Sequence, residues 1–239
     1  MKSQHIFLVL VTTLFVACQH SPQFSVSGTL DGAVGKMLYL EHTALTHTTP
    51  MDSCVLDENG DFSLQAPSPQ YPDFYRLRVG SHSLPLAVDS IEEIVVSTSL
   101  DSLPYTLSIN GSKTSLTIAQ LRATARTATR EQLREQAQQT IVQNPRSLAA
   151  YYAVFLKQGG EYIWDLYNPA DRRMYQAVAT SFHTWMPDYE RSKALYAQVS
   201  SALKAEREIQ QQAAVRQLID NAENAFLDIA LQDDNGLTQ

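Results

Sequence analysis

Between Phe24 and about Gly111, apolar side chains recur at every second position in short runs. "FSVSGTL" alternates through Phe24, Val26 and Leu30, with a slip at Gly28. "MLYLEH", "SCVLDENGDFSLQ", "FYRLRV", "SLPLAVD", "EEIVVST" and "YTLSING" follow. Each run is rich in β-branched or aromatic residues and is bounded by Gly, Pro, Asp or Ser, the signature of half-buried strands. About seven strands at this spacing predict an antiparallel β-sandwich or barrel over 24–111. "DENGD" at 57–61 reads as a hairpin turn in which Asn59-Gly60 supplies positive φ. It lacks the alternating oxygen ligands and distal Glu of a calcium loop.

From Ser112 the period becomes helical. Leu116, Leu121, Ala125, Leu133, Ala137 and Ile141 fall near one face of a single long segment, 112–144. Asn144-Pro145 reads as the start of a second helix, filled by "SLAAYYAVFLKQ" and ended by Gly159-Gly160. Asn168-Pro169 repeats that start signal before "ADRRMYQAVATSFHTWM", which stops at Pro187, and Asp188 is placed to cap a last long helix running toward Asn221. Four helices with short connections predict a bundle over 112–224. The fold class expected is therefore α+β, with the β unit first.

The two ends carry different signals. "MKSQHIFLVLVTTLFVACQHSPQ" has Lys2, an apolar run from Ile6 to Val16, small Ala17 and then Cys18. The run is shorter than the about 20 residues that span a bilayer, and has the layout of a secretory signal. "FVAC" resembles a bacterial lipobox, with Phe15 where Leu is usual, which makes Cys18 the expected lipidated N-terminus and residues 19–23 a tether. An ordinary cleaved signal with an incidental Cys is the alternative. Several acyl chains on one Cys would hold a protein stably at a membrane. At the other end, "FLDIALQDDNG" in residues 225–239 reads as a short strand followed by turn residues, with no partner strand after it.

Composition adds limits. Up to Lys113 the chain has five Lys/Arg against eleven Asp/Glu, about −6, and from Thr114 onward thirteen against fourteen, about −1. A chain of net charge −7 makes a poor nucleic-acid binder, because phosphate contacts need clustered cations. Cys18 and Cys54 are its two cysteines, so a lipidated Cys18 leaves Cys54 without a disulfide partner.

Little of the remaining chemistry points to a reaction centre. No metal or cofactor site is expected: the six His are scattered and no Cys/His cluster has zinc spacing. His42 and His47 could meet in a loop, but read as exposed loop histidines. Cys54, beside Val55 and Leu56, reads as a small apolar strand filler. Arg122, Arg126, Arg130 and Arg134 recur every fourth residue, either as a basic binding stripe or, as preferred in so acidic a chain, as a solvated helix face beside Glu131 and Glu135. Tyr151, Tyr152, Phe155, Tyr162, Trp164 and Tyr167 form an aromatic-rich patch, read as core in preference to a ligand groove.

Taken together, "FSVSGTL", "LYLEH", Asp52-Ser53, "GDF" at 60–62, "FYRL" at 74–77 and "YTLSINGS" at 105–112 resemble the N-terminal domain of unknown function on many bacterial thioredoxin-like lipoproteins. "NPRSLAAYYAVF", "DLYNPADRRMYQAVATSF" and "PDYERSKALY" resemble the helices that link it to a thiol-disulfide oxidoreductase or peroxiredoxin-type domain. The resemblance covers the mature chain and implies that "FLDIALQDDNG" corresponds to the first strand of that catalytic domain. No Cys-x-x-Cys is present, so no catalytic residue carries over. The expected function is a lipid-anchored, non-catalytic cell-envelope protein facing the periplasm, a scaffold or partner-binding module with a protein partner in the envelope. A complete binding lipoprotein for a small molecule or peptide is the second reading, and an enzyme using Cys54 the third.

Overall fold

The computed structural model describes residues 22–236, with side-chain surroundings to residue 224. The proposed signal segment, Cys18 and most of the 19–23 tether lie outside the described residues. The fold is α+β. Eight strands form two four-stranded sheets: β1 (Gln23–Asp31), β2 (Met37–Thr43), β3 (Thr48–Val55), β4 (Asp61–Pro67), β5 (Asp73–Val79), β6 (His82–Val88), β7 (Glu93–Ser99) and β8 (Ile109–Asn110). One sheet has the order β4-β1-β7-β8 and the other β3-β2-β5-β6. Their inner faces bury Phe24, Val26, Leu38, Leu40, Leu64, Leu77, Leu86, Ile94 and Val96 in one core, as the alternating pattern requires.

Two details depart from the simple antiparallel expectation. β1 pairs with β7 in parallel, although its other neighbour, β4, is antiparallel. Gly28 sits in that parallel pair at φ +142°, and a Cβ there would lie 1.9 Å from the carbonyl oxygen of Val96. The slip in the alternation of β1 is thus a backbone contact that only glycine allows. The 57–61 turn, expected as a hairpin, is instead a corner that carries the chain from one sheet to the other, because β3 pairs with β2 and β4 with β1. Only Gly60 has positive φ there; Asn59 does not. The Asp57 carboxylate builds the corner by accepting from the amides of Asn59 and Asp61 at 2.9 and 3.1 Å.

Among the described residues the helical part has five α-helices: α1 (Lys113–Thr127), α2 (Arg130–Gln143), α3 (Leu148–Val154), α4 (Pro169–Trp185) and α5 (Glu190–Gly236). The segment expected as one helix over 112–144 breaks at Ala128, which is extended. Thr129 opens α2 with a capping box to Gln132, and this local hydrogen bonding outcompetes helix continuation. α3 starts from an N-cap at Ser147, three residues after Asn144, since its hydroxyl accepts from the Ala150 amide at 3.1 Å. Gly159-Gly160 turns a two-residue hairpin, β9 (Lys157–Gln158) with β10 (Glu161–Tyr162). α4 begins as expected, with Asn168 accepting from Ala170 and Asp171 and Pro169 at its first position.

α5 continues past Asn221 to Gly236, so the segment expected as a strand at 226–231 is helical. Ala222, Glu223, Ala225, Leu227 and Ala230 are good helix formers, and extending an existing helix avoids the nucleation penalty a new element would meet. None of the described helices is long and apolar enough to cross a membrane.

A second core joins the units. Phe74 of β5 and Ala87 of β6 face outward from their sheet and pack with Ile118, Leu121, Ala150, Tyr151, Val154, Val178 and Phe182. The β3-β2-β5-β6 sheet is therefore covered on both faces, by the second sheet and by helices. α1 is fastened to β6 at Ala87, whose carbonyl accepts from the hydroxyls of Ser112 and Ser115 at 3.1 and 2.9 Å and whose amide donates to Ser115 Oγ at 2.9 Å.

Candidate functional site

A dense polar cluster lies where the start of β5 meets the start of α5. Asp73 opens β5 between Pro72 and Phe74, and Tyr189 and Arg191 flank the first residue of α5. Asp73 Oδ1 accepts from Tyr189 Oη at 2.8 Å and from Arg191 Nε at 2.9 Å, while His42 Nε2 contacts Oδ2 at 2.7 Å. Its own next amide, Phe74 N, also donates to Oδ1 at 2.8 Å. Arg191 reaches further, to the Thr43 carbonyl at the end of β2, and its guanidinium lies 4.9 Å from the centre of the Phe74 ring. One carboxylate thus ties two strands of the sheet to the last helix.

Burial by itself would push the Asp73 carboxyl up, but the bonds from His42, Arg191, Phe74 and Tyr189 together hold it below the usual carboxylate range. Burial raises the Tyr189 hydroxyl, with the Asp73 charge adding to it, and pushes Tyr75 up to about 12. Arg191 stays charged: burial works against its cation, yet Tyr189 and Asp73 together raise it. A carboxylate held ionised with every nearby donor engaged is a poor general base. The chemistry of this cluster is clasping.

Around the clasp is an open cleft of about 570 Å³ that also touches His47, Tyr71, Asp188 and Glu190. His42 is not the exposed loop residue expected from the sequence. It belongs to β2, packs 5.1 Å from the Tyr75 ring and is half-buried against Asp73. His47 is exposed, with Thr46 Oγ1 3.2 Å from its Nδ1. The two histidines line one cleft but share no ligand geometry, and no group of three metal-binding side chains occurs among the described residues.

A second buried ion cluster lies on the outer face of the same sheet. Glu41 accepts from Arg76 Nε at 2.6 Å and Arg78 Nε at 2.8 Å. Burial raises its carboxyl, but the two arginines overcome that and leave it lowered. Arg78 also covers the Tyr39 ring at 4.4 Å.

Cys54 sits on β3 opposite Leu38, half-buried against the sandwich core, in the filler role expected. Burial and the neighbouring Asp52 charge push its thiol up, which disfavours the thiolate that redox or nucleophilic chemistry needs.

The arginine stripe does not remain a uniform solvated face. Arg134 is half-buried, pairs with Asp171 of α4, donates to the Ile163 carbonyl and lies 4.2 Å from the Trp164 ring. The Asp171 carboxyl is lowered chiefly by that arginine, with burial opposing. Arg130 donates to the Tyr162 carbonyl. Arg126 stacks on Tyr105 at 3.6 Å, and Arg122 is half-buried beside it. The break at Ala128 places Arg122 and Arg126 on α1 and Arg130 and Arg134 on α2, and the two pairs have different neighbours.

The aromatic patch also divides. Tyr151 and Trp164 are core residues, the latter donating to the Ala153 carbonyl at 3.1 Å. Tyr162 and Tyr167 are exposed and help line a depression of about 590 Å³ between the β9–β10 hairpin and α5. Tyr152 and Phe155 border a narrower groove of about 370 Å³, walled by Phe74, Tyr151 and Pro85. Asp73, Tyr189 and Arg191 were not legible as a site, because more than a hundred residues separate the partners and no local motif links them.

No curated protein matches the chain. A crystal structure of a 9R-lipoxygenase from Cyanothece PCC8801 aligns over 62% of this chain and 27% of its own length, at 9% identity and a TM-score of 0.24. At that level the likeness bears on neither fold nor function. Residues 24–115, the strands of the sandwich and the first residues of α1, match a family described as Domain of unknown function (DUF4369).

Proposed function

We infer that this is a lipid-anchored, non-catalytic cell-envelope protein whose β-sandwich and helices serve as a scaffold or partner-binding module, akin to the accessory N-terminal region of thioredoxin-like redox lipoproteins. The observation that carries the scaffold role is α5. Its residues 207–224 are exposed along their whole length, including Ile209, Val215, Leu218 and Ile219. A helical arm with uncovered apolar side chains is suited to docking on another protein. Two further observations agree with a non-catalytic role: the Asp73 carboxylate is engaged in clasping the units, and burial disfavours the Cys54 thiolate. Anchoring rests on "FVAC", with Cys18 as the acylated residue.

Photocrosslinking in the producing cell tests the arm. A photoreactive residue at Leu218 should give a discrete adduct, and one at exposed Trp185 should not. Equal adducts at both positions, or none at either, would refute a partner on the arm. Mass spectrometry of the native protein tests the anchor: the N-terminal peptide should begin at Cys18 and carry acyl chains, and an unmodified Cys18 would refute it. The second reading, a binding lipoprotein for a small molecule, is favoured by the aromatic groove beside Tyr152 and Phe155.

A further inference from the structure

Of the four arginines that repeat every fourth residue, Arg130 and Arg134 hold the β9–β10 hairpin, the segment after it and α4 in place. Arg122 and Arg126 do something else. On α1 they face Lys157 of β9 across a depression of about 500 Å³, floored by Tyr105, Tyr152 and Phe155. No carboxylate lines that depression. Among the described residues, none of these three cations is in an ion pair. Arg126 and Lys157 are steadied by aromatic faces instead, Tyr105 at 3.6 Å and Tyr162 at 4.3 Å.

Gathering three cations without an acid runs against the net charge of −7. The carbonyl end of α1 accounts for only part of it. Gln158 already donates to the Ala125 and Ala128 carbonyls at 3.3 and 2.9 Å, so the helix end is covered without Lys157 or Arg122. Tyr152 and Phe155 form the border with the 370 Å³ groove that runs between α3 and the outer face of the sheet. Five of the ten residues lining that groove are aromatic, its two arginines, Arg76 and Arg191, are paired with Glu41 and Asp73, and the Thr43 hydroxyl on its wall is buried without a hydrogen-bond partner among the described residues.

We propose that the basic depression and the aromatic groove form one binding site for a small amphipathic anion. A carboxylate, sulfonate or phosphate head would sit among Arg122, Arg126 and Lys157. A flat aromatic or aliphatic body would cross Tyr152 and Phe155 toward Phe74, where a polar atom could meet the Thr43 hydroxyl. Charge-assisted bonds from guanidinium groups select the head, and apolar burial selects the body. The site is separate from the α5 arm, so its failure would leave the scaffold reading standing.

Three probes separate the parts. Anilinonaphthalenesulfonate has both head and body, phenylnaphthylamine has the body alone, and inorganic sulfate the head alone. Titrated into the full chain, the sulfonate should bind saturably, and added salt should weaken it. The double variant Arg122→Gln/Arg126→Gln should bind it about tenfold more weakly. The same variant should bind phenylnaphthylamine as before, and millimolar sulfate should displace the sulfonate from the native chain only partly. Unsaturable binding would overturn the site, as would equal sulfonate affinity in a double variant whose melting is unchanged. Amide shifts in NMR supply a check that needs no variant: the sulfonate should move Arg122, Arg126, Tyr152, Phe155 and Lys157. Shifts confined to other residues would refute the proposal.

Discussion

Arg191 Nε lies 2.9 Å from Asp73 Oδ1, joining the first turn of the last helix to the first residue of a strand 118 positions earlier. Both side chains are largely buried, with 9% and 15% of their surface exposed. Tyr189 reinforces the same oxygen from the residue before α5. A charge pair with one partner from each unit therefore ties α5 to the sandwich.

Removing both partners should destabilise the protein by less than the sum of the two single losses. Arg191→Ala leaves Asp73 ionised and partly uncompensated, at a cost of about 3 kcal/mol. For a chain of this size that lowers Tm by on the order of 10 °C. Asp73→Asn should cost less, because the amide oxygen still accepts a hydrogen bond. Thermal melts of the two single variants and the double variant close a cycle with a coupling of at least about 1 kcal/mol. Additive losses would show that the pair contributes only packing.

Acid should loosen the same clasp. The folded carboxyls of Asp73, Glu41 and Asp171 lie below their ordinary values. The stability they add is therefore complete above the ordinary carboxylate range, and is lost as pH falls from about 5 through the lowered folded values. Glu92 works the other way, since burial raises it, and it offsets a part of the loss. Urea midpoints measured from pH 7 down to pH 3 should fall, and fall less steeply in Asp73→Asn. A flat profile in the native chain would contradict the ionised clasp.

The sandwich was legible because alternation reports directly on which side chains face the core, as at Phe24, Val26, Leu38 and Leu40. Sheet pairing was less so. The 57–61 turn has hairpin residues, yet its local chemistry fits a corner equally well, and only long-range pairing decides between them. The break at Ala128 was written in the Thr129–Gln132 capping box but hidden beneath a continuous apolar stripe. The segment at 226–231 shows the limit of local pattern, since a run that reads as a strand became helix by continuation from the turns before it. Among candidate residues, Cys54 behaves as its neighbours suggested, whereas His42 acquires its partner from a strand 31 residues away.

Gly28 should be among the least replaceable positions in the sandwich. Its φ of +142° is unfavourable for any L side chain, and a methyl group would collide with the Val96 carbonyl at 1.9 Å. Gly28→Ala must part β1 from β7 or shift their register, and should cost at least about 3 kcal/mol. Ser27→Ala, one residue earlier on the same strand, removes only a half-buried hydroxyl and should cost no more than about 1 kcal/mol. Chemical denaturation of both variants reads the difference. A Gly28→Ala protein of native stability would mean that the parallel pairing of β1 and β7 is not the solution structure.

The last helix should behave as two segments of different stability. Leu195, Val199 and Ala202 bury their side chains, Leu203 packs beside them, and Arg172 of α4 pairs with Glu206. Beyond Glu206 every side chain to residue 224 is exposed, with Ile209 at 67% and Leu218 at 69%. Among the described residues no packed face supports this stretch, and in proteins such packing, more than propensity, supplies most of a helix's stability. Amide exchange at residues 195–203 should therefore require opening of the core, whereas residues 210–224 should exchange at low free energy. Truncation after Arg207 should leave the melting temperature within about 2 °C, since it removes no buried side chain among the described residues. Strong protection of residues 210–224 in the purified chain would mean that the arm is already covered, by self-association or by the residues that follow it. Sedimentation across a range of protein concentrations would tell these apart: protection that weakens on dilution belongs to self-association, and protection that persists in a monomer belongs to the chain itself.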